Sequence, residues 1–253
     1  MTTRTLAAAL CLTGGLCMAS DAQRPTCLVL AEGYVSEYAW AKYQEAQFPI
    51  HHPGYDFLIR GLTDHSQRFS RWLEDWEVRR IDLERLQGPL DLSGVDLAIL
   101  DEVRQSVCDP HEPTLVEFVR QGGALIVYAG RFGLGGCPKT EYSVPETISS
   151  YEKTPLGAVL PVKIVSTPDL NMLQDKTTEE RSPELTGADL AAGIPAGAWQ
   201  LLGVHECEAR GDVLANVAGV PLICSGSLGA GRTVVYTGDD LAWVRTGKDS
   251  HLN

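Results

Sequence analysis

Positive charge is scarce in this chain: 21 Lys and Arg stand against 33 Asp and Glu, a formal net charge of −12 over 253 residues. Nucleic-acid binding rests on cations that neutralise phosphates, so this balance speaks against nucleic acid, and equally against an anionic membrane surface. Acidity itself names no partner, because a negative surface is also the ordinary route to solubility. Long apolar runs are missing as well. Past the N-terminus nothing approaches the ~20 apolar residues of a transmembrane helix, so no membrane span is expected in the mature chain. No C-x-x-C spacing occurs among the 7 cysteines, which leaves a structural zinc site without support. No cofactor is implied.

The N-terminus has a layout of its own. MTTR carries one positive charge, TLAAALCLTGGLCMA is apolar, and Ser20-Asp21-Ala22 places small residues at the −3 and −1 positions of a cleavage site. Residues 1–22 therefore read as a secretory signal peptide, with cleavage after Ala19 as a variant and an ordinary N-terminal core helix as the alternative. Export would place residues 23–253 outside the cytoplasm, periplasmic or secreted, as a single domain. Cys27, Cys108, Cys137, Cys207 and Cys224 survive such a cut. An odd number leaves at least one unpaired, and a bridge between Cys108 and Cys137 is geometrically open because each follows a strand end. Cys27, inside an apolar run, reads as a small buried hydrophobe.

Apolar runs closed by turn signals mark the strands: TCLVLAE (26–32), WEVRRI (76–81), DLAIL (96–100) and ALIVY (124–128). HSQRFSRWLED (65–75) has a helical apolar face. Pro113 opens a second helix, in which Leu115, Phe118 and Val119 repeat at i, i+3, i+4 and Gly122-Gly123 ends the run. This order predicts an α/β fold, a mainly parallel sheet with helices on both faces. The second half is strand-rich: LLGVHECEA, DVLANV, VPLICSGS and RTVVYTGDD extend the same sheet, with SLGAGR as a hairpin turn, while residues 166–190 are polar and read as exposed.

DLAILDEV, a helix, QGGALIVYAGRFGLGG, YEKTPLGAVLPVKI and a distal GAGRTVVYTGDD occur in that order. Together they resemble the glutamine amidotransferase-like family, a branch of the class I glutamine amidotransferase-like superfamily, over the stretch from about Cys27 to Asp240. The FVRQGGALIV block and TPLGAVLP are its most specific pieces. The resemblance implies a flavodoxin-like three-layer α/β fold. It also implies where catalysis would sit: a cysteine on the sharp turn after a central strand, with a histidine and a glutamate from near the last strand. Here ALIVY runs into Ala129-Gly130-Arg131-Phe132-Gly133, with Arg131 roughly at the nucleophile's place, and TVVYTGDDLAWV holds no His-x-Glu. His205 and His251 alone lie late in the chain, one in an expected strand and one in the tail. Glutaminase or amidotransferase activity is accordingly not expected. Related chains continue past TGDD into an aromatic-rich segment; this one closes on LAWVRTGKDSHLN, so a domain short at its C-terminus is expected.

Several constellations remain. G-x-x-G-x-G-G at 130–136 matches neither the phosphate loop nor the dinucleotide fingerprint, and reads as a tight, exposed turn or a place where a ligand approaches the backbone. Asp101 and Glu102 end one strand, Asp239 and Asp240 another. If both pairs share a side they could bind a hard cation or supply an acid/base pair; ordinary solvation at strand ends is the alternative. No metal site is predicted. His51-His52 and His111 read as loop residues, and the tryptophans as packing, with Trp40 and Tyr43 open as ligand contacts.

The expected binding site is therefore the strand-end crevice of Asp101, Glu102, Gly130, Arg131, Phe132, Gly133, Asp239 and Asp240. No catalytic residue is assigned. The main reading is a non-catalytic module for a small molecule or a protein partner. The alternative is a hydrolase of another mechanism, acting through the carboxylates on a carbohydrate or envelope compound.

Overall fold

Four of the apolar runs become neighbours in one sheet. A computed structural model of the protein describes residues 24–31, 73, 75–130, 133–135, 150–165, 184–185, 203–217 and 219–239. Strands β1 (Thr26–Ala31), β2 (Glu77–Asp82), β3 (Leu97–Asp101) and β4 (Ala124–Tyr128) pair in parallel in the order β2-β1-β3-β4. Between β3 and β4 the chain forms a short helix α1 (Gln105–Cys108), a 3-10 turn (Asp109–His111) and helix α2 (Glu112–Arg120). Pro113 sits in the first turn of α2, where its missing N–H has no bond to lose.

The second half supplies β5 (Val162–Ile164), β6 (Glu184–Leu185), β7 (Gly203–Val204), β8 (Cys207–Ala209), β9 (Asp212–Val217), β10 (Val220–Leu228), β11 (Gly231–Tyr236) and β12 (Gly238–Asp239). The sheet runs β2-β1-β3-β4-β11-β10-β9-β6. β11 joins β4 in parallel, while β10, β9 and β6 continue antiparallel. The first five places form the 2-1-3-4-5 order of a flavodoxin-like fold, so the mainly parallel sheet and its extension are as the sequence predicts.

Parallel strands buried on both faces read as continuous apolar runs, and their side chains alternate between two cores. Leu28, Leu30, Ala98, Leu100, Leu125 and Val127 face one side, where α2 packs through Leu115 and Val119. Cys27, Val29, Leu97, Ile99 and Tyr128 face the other, joined by Leu73. Leu73 belongs to the expected helix 65–75, most of which lies outside the described residues.

One expectation needs correction. LLGVHECEA is not one strand of the extended sheet: it splits at His205-Glu206 into β7, which pairs with β12, and β8, which pairs with β5. His205 turns inward there and breaks the run. Glu184 and Leu185, within the polar stretch 166–190, pair with β9 as the last strand of the sheet. Cys108 is a free, buried thiol in the core beneath α2, and Cys137, to which a bridge was left open, lies outside the described residues. The SLGAGR turn does join β10 to β11, with Gly229 at φ 61 as the first of its two central residues.

Candidate functional site

Flavodoxin-like sheets bind ligands outside the carboxyl ends of their strands, where the strand order reverses. In this sheet that place lies between β1 and β3, and Asp101, the last residue of β3, stands at it. Asp101 is in register with Ala31 of β1 on one side and Tyr128 of β4 on the other, and Tyr128 is in register with Tyr236 of β11. Residues in register on parallel strands project to the same face, so Asp101, Tyr128 and Tyr236 form one row across the end of the sheet. The two tyrosine rings stack, with centroids 4.9 Å apart and planes 18° from parallel. Asp101 is buried, 5 % exposed, which rules out ordinary solvation at a strand end.

Glu102 comes next, and its backbone is unusual. It is the only non-glycine among the described residues with positive φ, 55°, while its N–H donates to the Tyr128 carbonyl at 2.9 Å. The left-handed conformation costs a residue with a β-carbon about 1–2 kcal/mol, and such strain collects at functional sites. This bend lays the Glu102 side chain across Gly130, itself at φ 50°. A β-carbon on Gly130 would collide with Glu102 Cγ and Cδ. Gly133 N–H then donates to the Ala129 carbonyl at 2.7 Å, closing the turn so tightly that a β-carbon on Gly133 would meet that oxygen at 2.5 Å. Gly130 and residues 133–135 are buried, not exposed as one reading of the glycine run supposed. The close packing of backbone against Glu102 and the turn itself is the reason.

The far side of the turn is held by His205, a residue expected in a strand and given no role in the site. Ala129 N–H donates to the Tyr236 carbonyl at 2.9 Å, and His205 N–H donates to the Thr237 carbonyl at 2.9 Å. This places His205 beside the end of β11, with its ring directed at the turn: Nε2 lies 2.9 Å from the Gly130 carbonyl oxygen. A carbonyl only accepts, so Nε2 carries the proton. Nδ1 is buried and has no hydrogen-bond partner among the described residues. Burial lowers the His205 pKa to about 4, opposed by the hydrogen bond to Gly130. The ring is neutral at pH 7. The only hint in the sequence was a polar histidine inside an otherwise apolar run.

Asp101, Glu102, Gly130 and Gly133 are thus brought together at the ends of β3 and β4. Asp239 lies in β12, where the chain leaves the main sheet to pair with β7, and the backbone partner of Asp239 is Gly203. Arg131, Phe132, Asp240, Cys137, Trp40, Tyr43, His51, His52 and His251 lie outside the described residues. Among the described residues no group of three or more His, Cys, Asp or Glu is placed to hold a metal ion. Cys27, Cys108, Cys207 and Cys224 are free and buried. Burial pushes the first three thiols up to about 12 and Cys224 up to about 11. His111 is buried at the start of α2, not a loop residue.

The family model described as "Putative glutamine amidotransferase" matches residues 101–246, well over half of the chain. The chain belongs to that family. The match begins at Asp101, so the family region contains both strand-end loops and His205. A search of curated proteins finds no match. Among solved structures, two cytoplasmic proteins of Salmonella typhimurium, the second from strain LT2, each superpose with a TM-score of 0.54. They are 15 % and 16 % identical over 85 % of this chain, and 87 % and 88 % of theirs. At that identity the family's fold is shared and nothing finer follows. A β-galactosidase from Rahnella sp. R3 matches with a TM-score of 0.48 and 17 % identity, over 88 % of this chain and 30 % of its own.

Proposed function

We propose that this member of the glutamine amidotransferase-like family is a non-catalytic binding module whose ligand enters the crevice at the ends of β3 and β4. One observation carries the reading: at the turn where the family's nucleophile would stand, Gly130 is covered by the Glu102 side chain and pinned by a neutral His205, with no thiol at residues 129–133. A nucleophilic cysteine acts as the thiolate, and the four described thiols are all shifted away from that form by burial. The turn instead has the Asp101 and Glu102 carboxylates beside it, groups suited to a ligand that donates hydrogen bonds. The strained Glu102 supports a binding role, because a purely structural position would relax to glycine or asparagine.

A thermal-shift screen of the purified protein against amino acids including glutamine, sugars, nucleotides and divalent cations tests it. A ligand at 100 times its Kd adds ~2.7 kcal/mol, a shift of roughly 5–10 °C for a domain of this size. A shift lost in Glu102→Ala supports the crevice; ammonia release from glutamine would refute the non-catalytic reading.

The contrast between buried Asp101 and half-buried Glu102 favours one second reading, a carboxylate-based hydrolase of a carbohydrate or envelope compound, since two carboxyls in unlike surroundings can divide acid and base roles. Asp101→Asn would then abolish turnover without unfolding. We also read residues 1–22 as a signal peptide that directs the module out of the cytoplasm; a mature N-terminus at Gln23 after expression in an exporting host is the expected result.

A further inference from the structure

The two strand-end loops share a support that lies 48 residues from one of them. Tyr151 begins the 3-10 turn Tyr151–Lys153 and is 1 % exposed. Its hydroxyl donates to the Val103 carbonyl at 3.0 Å, one residue beyond Glu102. Its own N–H donates to the Leu134 carbonyl at 3.0 Å, in the glycine loop. One residue therefore holds the loop after β3 with its side chain and the loop after β4 with its backbone.

The support is itself anchored. Thr154 Oγ1 donates to the Tyr151 carbonyl at 3.1 Å, and Ser150 Oγ accepts from Glu152 N–H at 3.1 Å. Gly157 passes so close that a β-carbon there would collide with the Tyr151 carbonyl. Leu156 N–H donates to Glu112 Oε2 at 2.9 Å, fastening the segment to the start of α2. A phenol has only two side-chain torsions, so a buried tyrosine transmits position rather than absorbing it.

We propose that Tyr151 is the positioning residue of the crevice, locking the loop that carries Glu102 and the glycine loop into one unit whose spacing sets what can bind. This rests on the reading of the crevice as the binding site, but its test needs no ligand. Native-state hydrogen exchange would be compared between the wild type, Tyr151→Phe and Thr233→Val, a control that deletes a buried hydroxyl of β11 away from the crevice. Loss of one buried hydrogen bond lies well within the stability of a domain. In Tyr151→Phe, which removes the bond to Val103 and the contact with the Cys108 thiol, the amides of Glu102 and Gly133 should exchange together, roughly tenfold or more faster, while Leu28 and Leu30 in β1 keep their protection. Thr233→Val should leave both loop amides unchanged. A rise in one loop only, a uniform rise across the sheet, or no rise overturns the coupling. A flat ligand screen alongside a paired rise would instead count against the binding role and leave the coupling standing.

Discussion

Glu102 occupies the volume that a side chain on Gly130 would need, and both residues hold positive φ, at 55° and 50°. Two left-handed residues from adjacent strand ends thus face each other, and neither can be changed without consequence for the other.

The pair separates stability from function. Glu102→Gly relieves the left-handed strain and should leave the protein as stable as the wild type or up to about 1 kcal/mol more so. In the proposed binding role it should also remove a carboxylate that the ligand would meet. Gly130→Ala should cost about 1–3 kcal/mol, because the new β-carbon displaces Glu102 and inherits an unfavourable φ. Urea unfolding of both variants checks the opposite signs.

His205 makes the fold acid-sensitive over a defined window. Its folded pKa of about 4 lies below the ordinary imidazole value of 6.5, so the unfolded chain takes up a proton first as pH falls. Stability from this group is full above about pH 6.5 and is lost progressively down to about pH 4, a total on the order of 3 kcal/mol. Unfolding free energies of the wild type and of His205→Gln between pH 7.5 and 4.5 should converge at the acid end. A parallel pair of curves would contradict the assignment.

Glu112 should tolerate no neutral amide. Both its oxygens accept, one from Leu156 N–H at 2.9 Å and one from Gln105 Nε2 at 3.1 Å. Glu112→Gln turns one acceptor into a donor facing a donor, at a cost of about 1–3 kcal/mol in a buried site. A lowered urea midpoint with an unchanged m-value is the expected result.

The thiols should be silent in the native state. Cys27, Cys108, Cys207 and Cys224 are buried and free. Iodoacetamide at pH 8 should leave these four unlabelled until urea is added. Rapid native labelling of any one of them would point to an activated thiol and reopen cysteine chemistry.

Much of this architecture is legible before any coordinates, and the reason is local. β1, β3, β4 and β11 are buried on both faces, so TCLVLA, LAILD, ALIVY and TVVY announce themselves as unbroken apolar runs. The helix after Pro113 and the Gly229 hairpin carry their own start and turn signals. The proposed crevice is half legible for the same reason. Asp101, Glu102 and Gly130 stand at visible strand ends, yet nothing local says that one residue lies over another. Tyr151 is hidden altogether, and His205 shows only as a polar residue in an apolar run. His205 reaches the turn only because β12 leaves the sheet to pair with β7, and Tyr151 reaches Val103 across 48 residues. Those are tertiary facts, and no period or motif in the chain encodes them.

The place of β11 also shapes how the chain must assemble. It is the strand beside β4, yet it is made more than a hundred residues later, after every other member of the eight-stranded sheet. Until it docks, ALIVY is an open edge with unpaired amides and an apolar surface, the kind of edge that recruits other chains. Closing so long a loop is slow, whereas the β10–β11 hairpin can form on its own in microseconds. The ready-made hairpin, inserted as a unit, is the natural route to completion. A nascent chain that stalls short of Tyr236 would leave that edge bare, and its fate would depend on a chaperone rather than on its own sequence.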